Sequence, residues 1–209
     1  MEAYRTEAEN IFVITLSAQL SGSYNSAVLG KNLYHEQYGE KNIFILDSES
    51  ASSGETQYAL KAMELQEKGL SFEDTVKELE AFREEMKTYF ILDNLETLRK
   101  NGRLTGVKAM VVSTLNIKPI MYGDHGVIKQ KSQAVGMKKA IIKLANIMVS
   151  EVPDMKDRTL IISHCNCPDR AAFVKKELLA RTEVKNIIVM DTAGISSMYA
   201  NDGGIIVTI

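Results

Sequence analysis

Five short runs along the chain are apolar at successive rather than alternate positions: IFVITL (11–16), NIFILD (42–47), YFIL (89–92), TLIIS (159–163) and NIIVMD (186–191). Each is followed by polar or Gly/Ser residues. A strand that is apolar on both sides is covered on both sides, so these runs predict strands of a parallel sheet with helices on either face. Elsewhere the period lengthens. Val76, Leu79, Phe82 and Met86 recur at steps of three or four after Phe72, and Met137, Ile141, Leu144 and Met148 do the same, which predicts two amphipathic helices with core-facing stripes. Ser71, with Asp74 three residues on, is a natural cap for the first of these, and Gly69 ends the helix before it. Strands alternating with helices make the fold class α/β.

The pattern changes near residue 90. Before it the order reads strand, helix, strand, helix, helix, strand. After it come DNLETLRKNGRLTG, the proline-containing LNIKPIM, and the turn YGDHG leading into VIKQ. Two extended segments joined through a Gly-rich turn predict a hairpin, and with it antiparallel pairing. We therefore expect two α/β domains, 1–86 and 87–209, the first on a parallel sheet and the second on a mixed sheet that includes the hairpin. The tail, AGISSMYANDGGIIVTI, reads as a polar loop holding Ser196 and Ser197, an NDGG turn and a closing apolar strand.

Charge narrows the partners. With 25 Lys and Arg against 27 Asp and Glu in 209 residues, the chain lacks the basic excess of a nucleic-acid binder. No apolar run approaches the roughly 18 residues that cross a bilayer, and the opening MEAYRTEAEN is acidic where a signal peptide is basic, so a cytoplasmic location is expected. Transient contact with a membrane, as a source of lipid, stays open. The two cysteines, Cys165 and Cys167, are separated by one residue, a spacing poorly suited to a strain-free disulfide and consistent with a reducing compartment.

Three places carry candidate chemistry. LSAQLSGSYN (16–25) puts Ser21 and Gly22 at a helix start behind a strand, where unpaired backbone amides and the positive end of the helix dipole bind anions. Ser21 as a plain helix cap is the competing reading. DSESASSGE (47–55) repeats the arrangement with Ser53 and Gly54. In a parallel sheet both turns border one crevice beyond the strand ends; the alternative is that Asp47 and Ser50 only fix the turn. KNGRLTG and LNIKPI offer Arg103 and Lys118 as anion ligands, or as members of ion pairs. SHCNCPDR gathers His164, Cys165 and Cys167 but lacks the second ligand pair of a zinc site, so no metal is expected; a strand end followed by a helix beginning at Pro168 explains it.

In order along the chain, LSAQLSGSYNSA, DSESASSGE, LETLRKNGRLTG, LNIKPIM, ISHCNCPDRA and YANDGGIIV resemble the DegV family of bacterial fatty-acid-binding proteins. The resemblance implies two α/β domains with a long-chain fatty acid between them, its carboxylate bound by Ser21 and Gly22, with Ser53 and Gly54 lining the neighbouring part of the pocket. It implies a carrier rather than an enzyme, one that presents the carboxylate to a fatty acid kinase for acyl phosphate formation and phospholipid synthesis, with no cofactor beyond the fatty acid. By the same resemblance the chain starts after a strand–helix segment whose threonine also contacts the carboxylate. QAVG, with Val135, stands where relatives often carry Lys-x-Arg-Gly. TAGISSMYANDGG stands where many carry a His-x-Gly-Pro-Gly turn, so Ser196 or Ser197 takes that contact. The reading from another class is a serine-dependent hydrolase or acyltransferase using Ser21, or Ser17, as nucleophile; it needs a base, and His35, His125 and His164 follow no known triad order.

Overall fold

The computed structural model describes residues 2–104 and 116–209. Thr105 and Gly106 of NGRLTG and Leu115 of LNIKPIM lie outside these residues. The chain divides into two compact units, Met1–Met86 with His125–Val127, and Lys87–Asp124 with Ile128–Ile209.

In the first unit β1 (Asn10–Thr15) and β2 (Asn42–Asp47) pair in parallel, in register from Asn10 opposite Asn42 to Thr15 opposite Asp47. Around them lie α1 (Ser23–Tyr38), α2 (Ser53–Glu67) and α3 (Phe72–Glu85). Because side chains alternate across a strand, the unbroken apolar runs serve two cores. Ile11, Val13, Ile43 and Ile45 pack with Tyr24, Ala27, Val28 and Tyr34 of α1. Phe12, Ile14, Phe44 and Leu46 pack with Tyr58 and Leu65 of α2 and with Leu79 and Phe82 of α3. Ser71 caps α3 as expected, accepting from Asp74 N at 3.1 Å. Gly69, at φ +74, closes α2: its N–H donates to Gln66 O and that of Leu70 to Leu65 O, the paired bonds that end a helix with a left-handed residue.

The second unit contains β3 (Thr88–Ile91), α4 (Glu96–Lys100), β4 (Ile117–Asp124), β5 (Val127–Val135, less Val127 itself), α5 (Met137–Glu151), β6 (Thr159–His164), α6 (Pro168–Leu179), β7 (Asn186–Asp191), α7 (Gly194–Ala200) and β8 (Ile205–Thr208). Among the described residues its sheet has six strands in the order β5-β4-β3-β8-β6-β7. The helix stripe Ile141, Leu144 and Met148 of α5 and the residues Val174 and Leu178 of α6 cover Ile91, Leu160, Ile162, Ile205 and Val207. At about 1.5–3 kcal/mol for each large apolar side chain removed from water, this layer is the main source of the unit's stability.

Three expectations change here. YFIL forms β3, but it is antiparallel to both neighbours, β4 and β8. A strand buried on both faces has the same composition whichever way its neighbours run. NIIVMD is parallel to β6 yet is not covered on both faces, because it lies at the sheet edge, where Val189 is 42% exposed. The polar tail segment with Ser196 and Ser197 is the helix α7 rather than a loop. The predicted hairpin is present: β4 and β5 are neighbours joined by His125 and Gly126, both at positive φ, the backbone of a tight two-residue turn.

Asp93, just after β3, gathers the second unit's polar contacts. Its Oδ1 accepts from Lys118 Nζ of β4 at 2.6 Å and its Oδ2 from Arg170 Nη1 of α6 at 2.8 Å, while Arg170 also donates to Gly203 O. Lys118 is thus an internal ion-pair partner. Gly203 of NDGG sits at φ +83, and a Cβ there would collide with the Asp93 carboxylate and the Arg170 guanidinium, so only glycine closes the turn. Burial of Asp93 opposes its ionisation, but the hydrogen bonds from Lys118 and Arg170 outweigh it and hold the carboxyl below its ordinary value. A carboxylate with a depressed folded pKa stabilises above its unfolded value and loses that contribution as pH falls through the folded one. Asp93→Asn should lower stability by about 2 kcal/mol near neutral pH, measured by urea unfolding. The gap between variant and parent should narrow as the pH is taken below the ordinary carboxylate range.

Candidate functional site

Thr15 and Asp47 end β1 and β2 side by side, so the turns after them leave the same end of a parallel sheet, the end at which α/β sheets bind ligands. The two turns are stitched together. Asp47 Oδ1 accepts from Ala18 N and from Glu49 N, each at 3.0 Å. Ser17 N donates to Ser50 O at 2.8 Å, Ser48 N to Thr15 O at 3.2 Å, and Thr15 Oγ1 to Leu46 O at 3.1 Å. Asp47 therefore fixes both turns.

The hydroxyls sort into two groups. Ser17, Ser48, Ser50 and Ser53 are buried. Ser17 Oγ donates to Gly126 O at 2.8 Å across 109 positions of sequence and accepts from Gln19 N at 3.2 Å. Ser48 Oγ accepts from Ser50 N at 3.1 Å. Ser53 opens α2, and Gly54 beside it packs so closely on Ser50 that a Cβ at Gly54 would overlap the Ser50 hydroxyl and its Cβ. These four serines and Gly54 build the turns.

Ser21 and Gly22 differ. Ser21 is half-buried, Gly22 and Ser23 are exposed, and Gly22 rather than Ser21 is the N-cap of the 16-residue helix α1. The Ser21 hydroxyl accepts from Ser23 N at 3.2 Å. The following amides, of Tyr24 and Asn25, are among those that the first turn of any helix leaves without an intrahelical acceptor. Gly22 has an ordinary φ of −77, and nothing lies within 4 Å of where a Cβ would stand. Neither its backbone nor its neighbours demand glycine, and what the missing side chain leaves is open approach to the helix start.

The second turn holds strain of a kind that collects at ligand sites: Glu49 and Ser52, neither of them glycine, have φ of 49 and 58. Glu49 lies between Arg83 and His125, 3.9 Å from Arg83 Nε and 3.5 Å from His125 Nδ1. Sequence reasoning missed this trio, and missed Asp93, because each joins residues 25 or more apart that share no motif. Burial and the surrounding carboxylates push the Tyr58 phenol upward, far out of any working range.

The remaining candidates are engaged. Ser197 Oγ is 2.8 Å from Thr192 Oγ1, and Ser196 N donates to Ala193 O. Both cysteines are free thiols, Cys165 Sγ 3.9 Å from Ser197 O and Cys167 Sγ 3.5 Å from Gly204 O, and burial pushes the Cys167 thiol up. Among the described residues no group of three His, Cys, Asp or Glu is placed to hold a metal ion, and no helix is long and apolar enough to cross a membrane. Arg103 donates to Asn101 O. His35 Nε2 lies 3.2 Å from Lys41 O, and His164 Nδ1 accepts from Cys167 N at 3.3 Å. Among the described residues no histidine is hydrogen-bonded to Ser17 or Ser21.

A family model described as "Uncharacterised protein, DegV family" matches residues 1–208. The chain belongs to the DegV family. A DegV domain-containing protein of Streptococcus pneumoniae strain R6 is 32% identical over 202 residues, which is 95% of this chain and 70% of that protein. The crystal structure of a DegV family protein from Ruminococcus gnavus, refined with vaccenic acid, is 54% identical and superposes with a TM-score of 0.97 over 100% of this chain and 74% of its own. The Fatty Acid Kinase (Fak) B3 protein of S. pneumoniae, loaded with linoleic acid, is 30% identical with a TM-score of 0.89, over 99% of this chain and 73% of its own. The mixed α/β architecture, with its parallel pair and its six-stranded mixed sheet, is the DegV fold.

The buried half of the two turns is testable as structure. Gly54→Ala should cost about 1–3 kcal/mol in urea unfolding, the usual penalty for overpacking. Adding Ser50→Gly, which removes the atoms in the way, should recover part of the loss.

Proposed function

We propose that this chain binds a long-chain fatty acid and presents its carboxylate to a fatty acid kinase, which converts it to an acyl phosphate on the way to phospholipid. The observation that carries the reading is the vaccenic acid in the R. gnavus relative, which is 54% identical over this whole chain. The open helix start agrees with it. Ser21 donates one hydrogen bond to the carboxylate, the first-turn amides of α1 donate others, and the helix dipole favours the negative charge. Ser53 and Gly54 act on the ligand through the shape of the adjoining turn.

Affinity in this reading comes from the tail. Roughly fifteen methylenes at about 0.8 kcal/mol each give on the order of 12 kcal/mol before the costs of association, so the head-group contacts serve mainly to orient. The carboxylate oxygen is the nucleophile toward the phosphoryl donor, and the kinase supplies the catalysis. The name of the pneumococcal relative, a Fak B3 protein holding linoleic acid, supports the kinase partner. Exchange of ligand with a membrane surface fits the same role.

Protein purified under native conditions should release a long-chain fatty acid, identified by mass spectrometry of an organic extract, and delipidated protein should be thermally stabilised by added oleate. A lipid-free extract together with an unmoved melting temperature counts against the carrier. Ser21→Ala should weaken fatty acid binding about fivefold, the scale of one hydrogen bond. An unchanged affinity takes Ser21 out of the site.

A further inference from the structure

The two edges of the six-stranded sheet are built differently. β5, at one edge, reads VIKQKSQAV and sets exposed Lys129 and Lys131 along its length, the kind of charge that discourages another strand from pairing. β7, at the other edge, reads NIIVMD. It has no lysine, proline or paired second neighbour among the described residues, and Val189 is 42% exposed on it. A regular, apolar, six-residue edge is a template for strand addition.

Its charges say which strand fits. Exposed Lys185 precedes β7, and Asp191, whose side chain is 80% exposed, ends it. Asp191 Oδ1 also lies 3.3 Å from His164 Nδ1. An antiparallel pairing of β7 with a second β7 about a twofold axis through Ile188 sets Lys185 opposite Asp191 and Ile187 opposite Val189, twice over by symmetry. Residues opposite each other in an antiparallel pair share a face, so each contact joins like with like in polarity and opposite in charge. A slip by two residues loses both charge pairs. Parallel pairing in register sets lysine against lysine.

We propose that β7 is a homodimerisation edge, the occupant being the β7 strand of a second copy of this chain, which continues the sheet across a twofold axis. Sedimentation of the full chain over a wide range of concentration should show a reversible monomer–dimer equilibrium that weakens as salt is raised. Val189→Lys should weaken the dimer at least about tenfold while leaving the urea midpoint of the monomer unchanged. Lys185→Glu or Asp191→Lys alone should each weaken it by about tenfold, and the two together should restore it. A chain that stays monomeric at every concentration overturns the proposal. So does a dimer indifferent to Val189→Lys, or one that the double charge exchange fails to restore.

Discussion

The candidate site depends on one carboxylate. Asp47 ends β2, and through a single oxygen it accepts the amides of Ala18, in the turn after β1, and Glu49, in its own turn. Two adjacent parallel strands leave a sheet end with two loops that have no intrinsic reason to hold a common shape. A charged acceptor shared between them supplies one, since hydrogen bonds to an ionised group are about twice as strong as neutral ones. The backbone bonds from Ser17 to Ser50 and from Ser48 to Thr15 then complete the frame. The exposed helix start at Gly22 is positioned from this frame, four residues beyond Ala18.

The frame also explains why the stretch is so rich in serine. Most of those hydroxyls are inward, where a small side chain with one donor and two acceptor positions satisfies backbone groups that would otherwise be buried unpaired. Ser17 reaches Gly126, Ser48 holds Ser50, and Ser50 leaves room only for a glycine at 54. A cluster of hydroxyls near a helix start suggests a ligand, and here the cluster is chiefly scaffold. The polar groups outside that scaffold are few: Ser21, the bare backbone of Gly22 and the amides behind it.

Much of this was legible beforehand, for definable reasons. The strands, the α3 and α5 stripes, the Ser71 cap and the hairpin rest on local periodicity and turn chemistry, which a sequence displays directly. The antiparallel setting of β3 did not show, because a doubly buried strand reads alike in either setting, and the strand that decides it, β8, lies more than a hundred residues away. At the site, the spacing found both Ser/Gly turns but did not separate Ser21 from Ser17 or Ser53. That separation is one of burial, set by how α2 and the turn at Gly126 pack, and no spacing records it. The helix α7 was hidden by its composition, since GISSMYA mixes small and polar residues as a loop does.

The second unit shows the same economy with charge. Asp93, Lys118, Arg170 and Gly203 come from four separate segments and meet at one point, so that the glycine of NDGG is required by a carboxylate far from it in sequence. Sheet order makes the meeting obligatory. With β8 lying between β3 and β6, the NDGG turn that leads into β8 must pass the start of α6 and the end of β3. A motif that reads as an ordinary turn is therefore better understood as a packing constraint: the ion pair needs a position without a side chain, and the topology determines which position that is. The tail motif YANDGG has at Gly203 a physical reason to exist that is independent of any ligand.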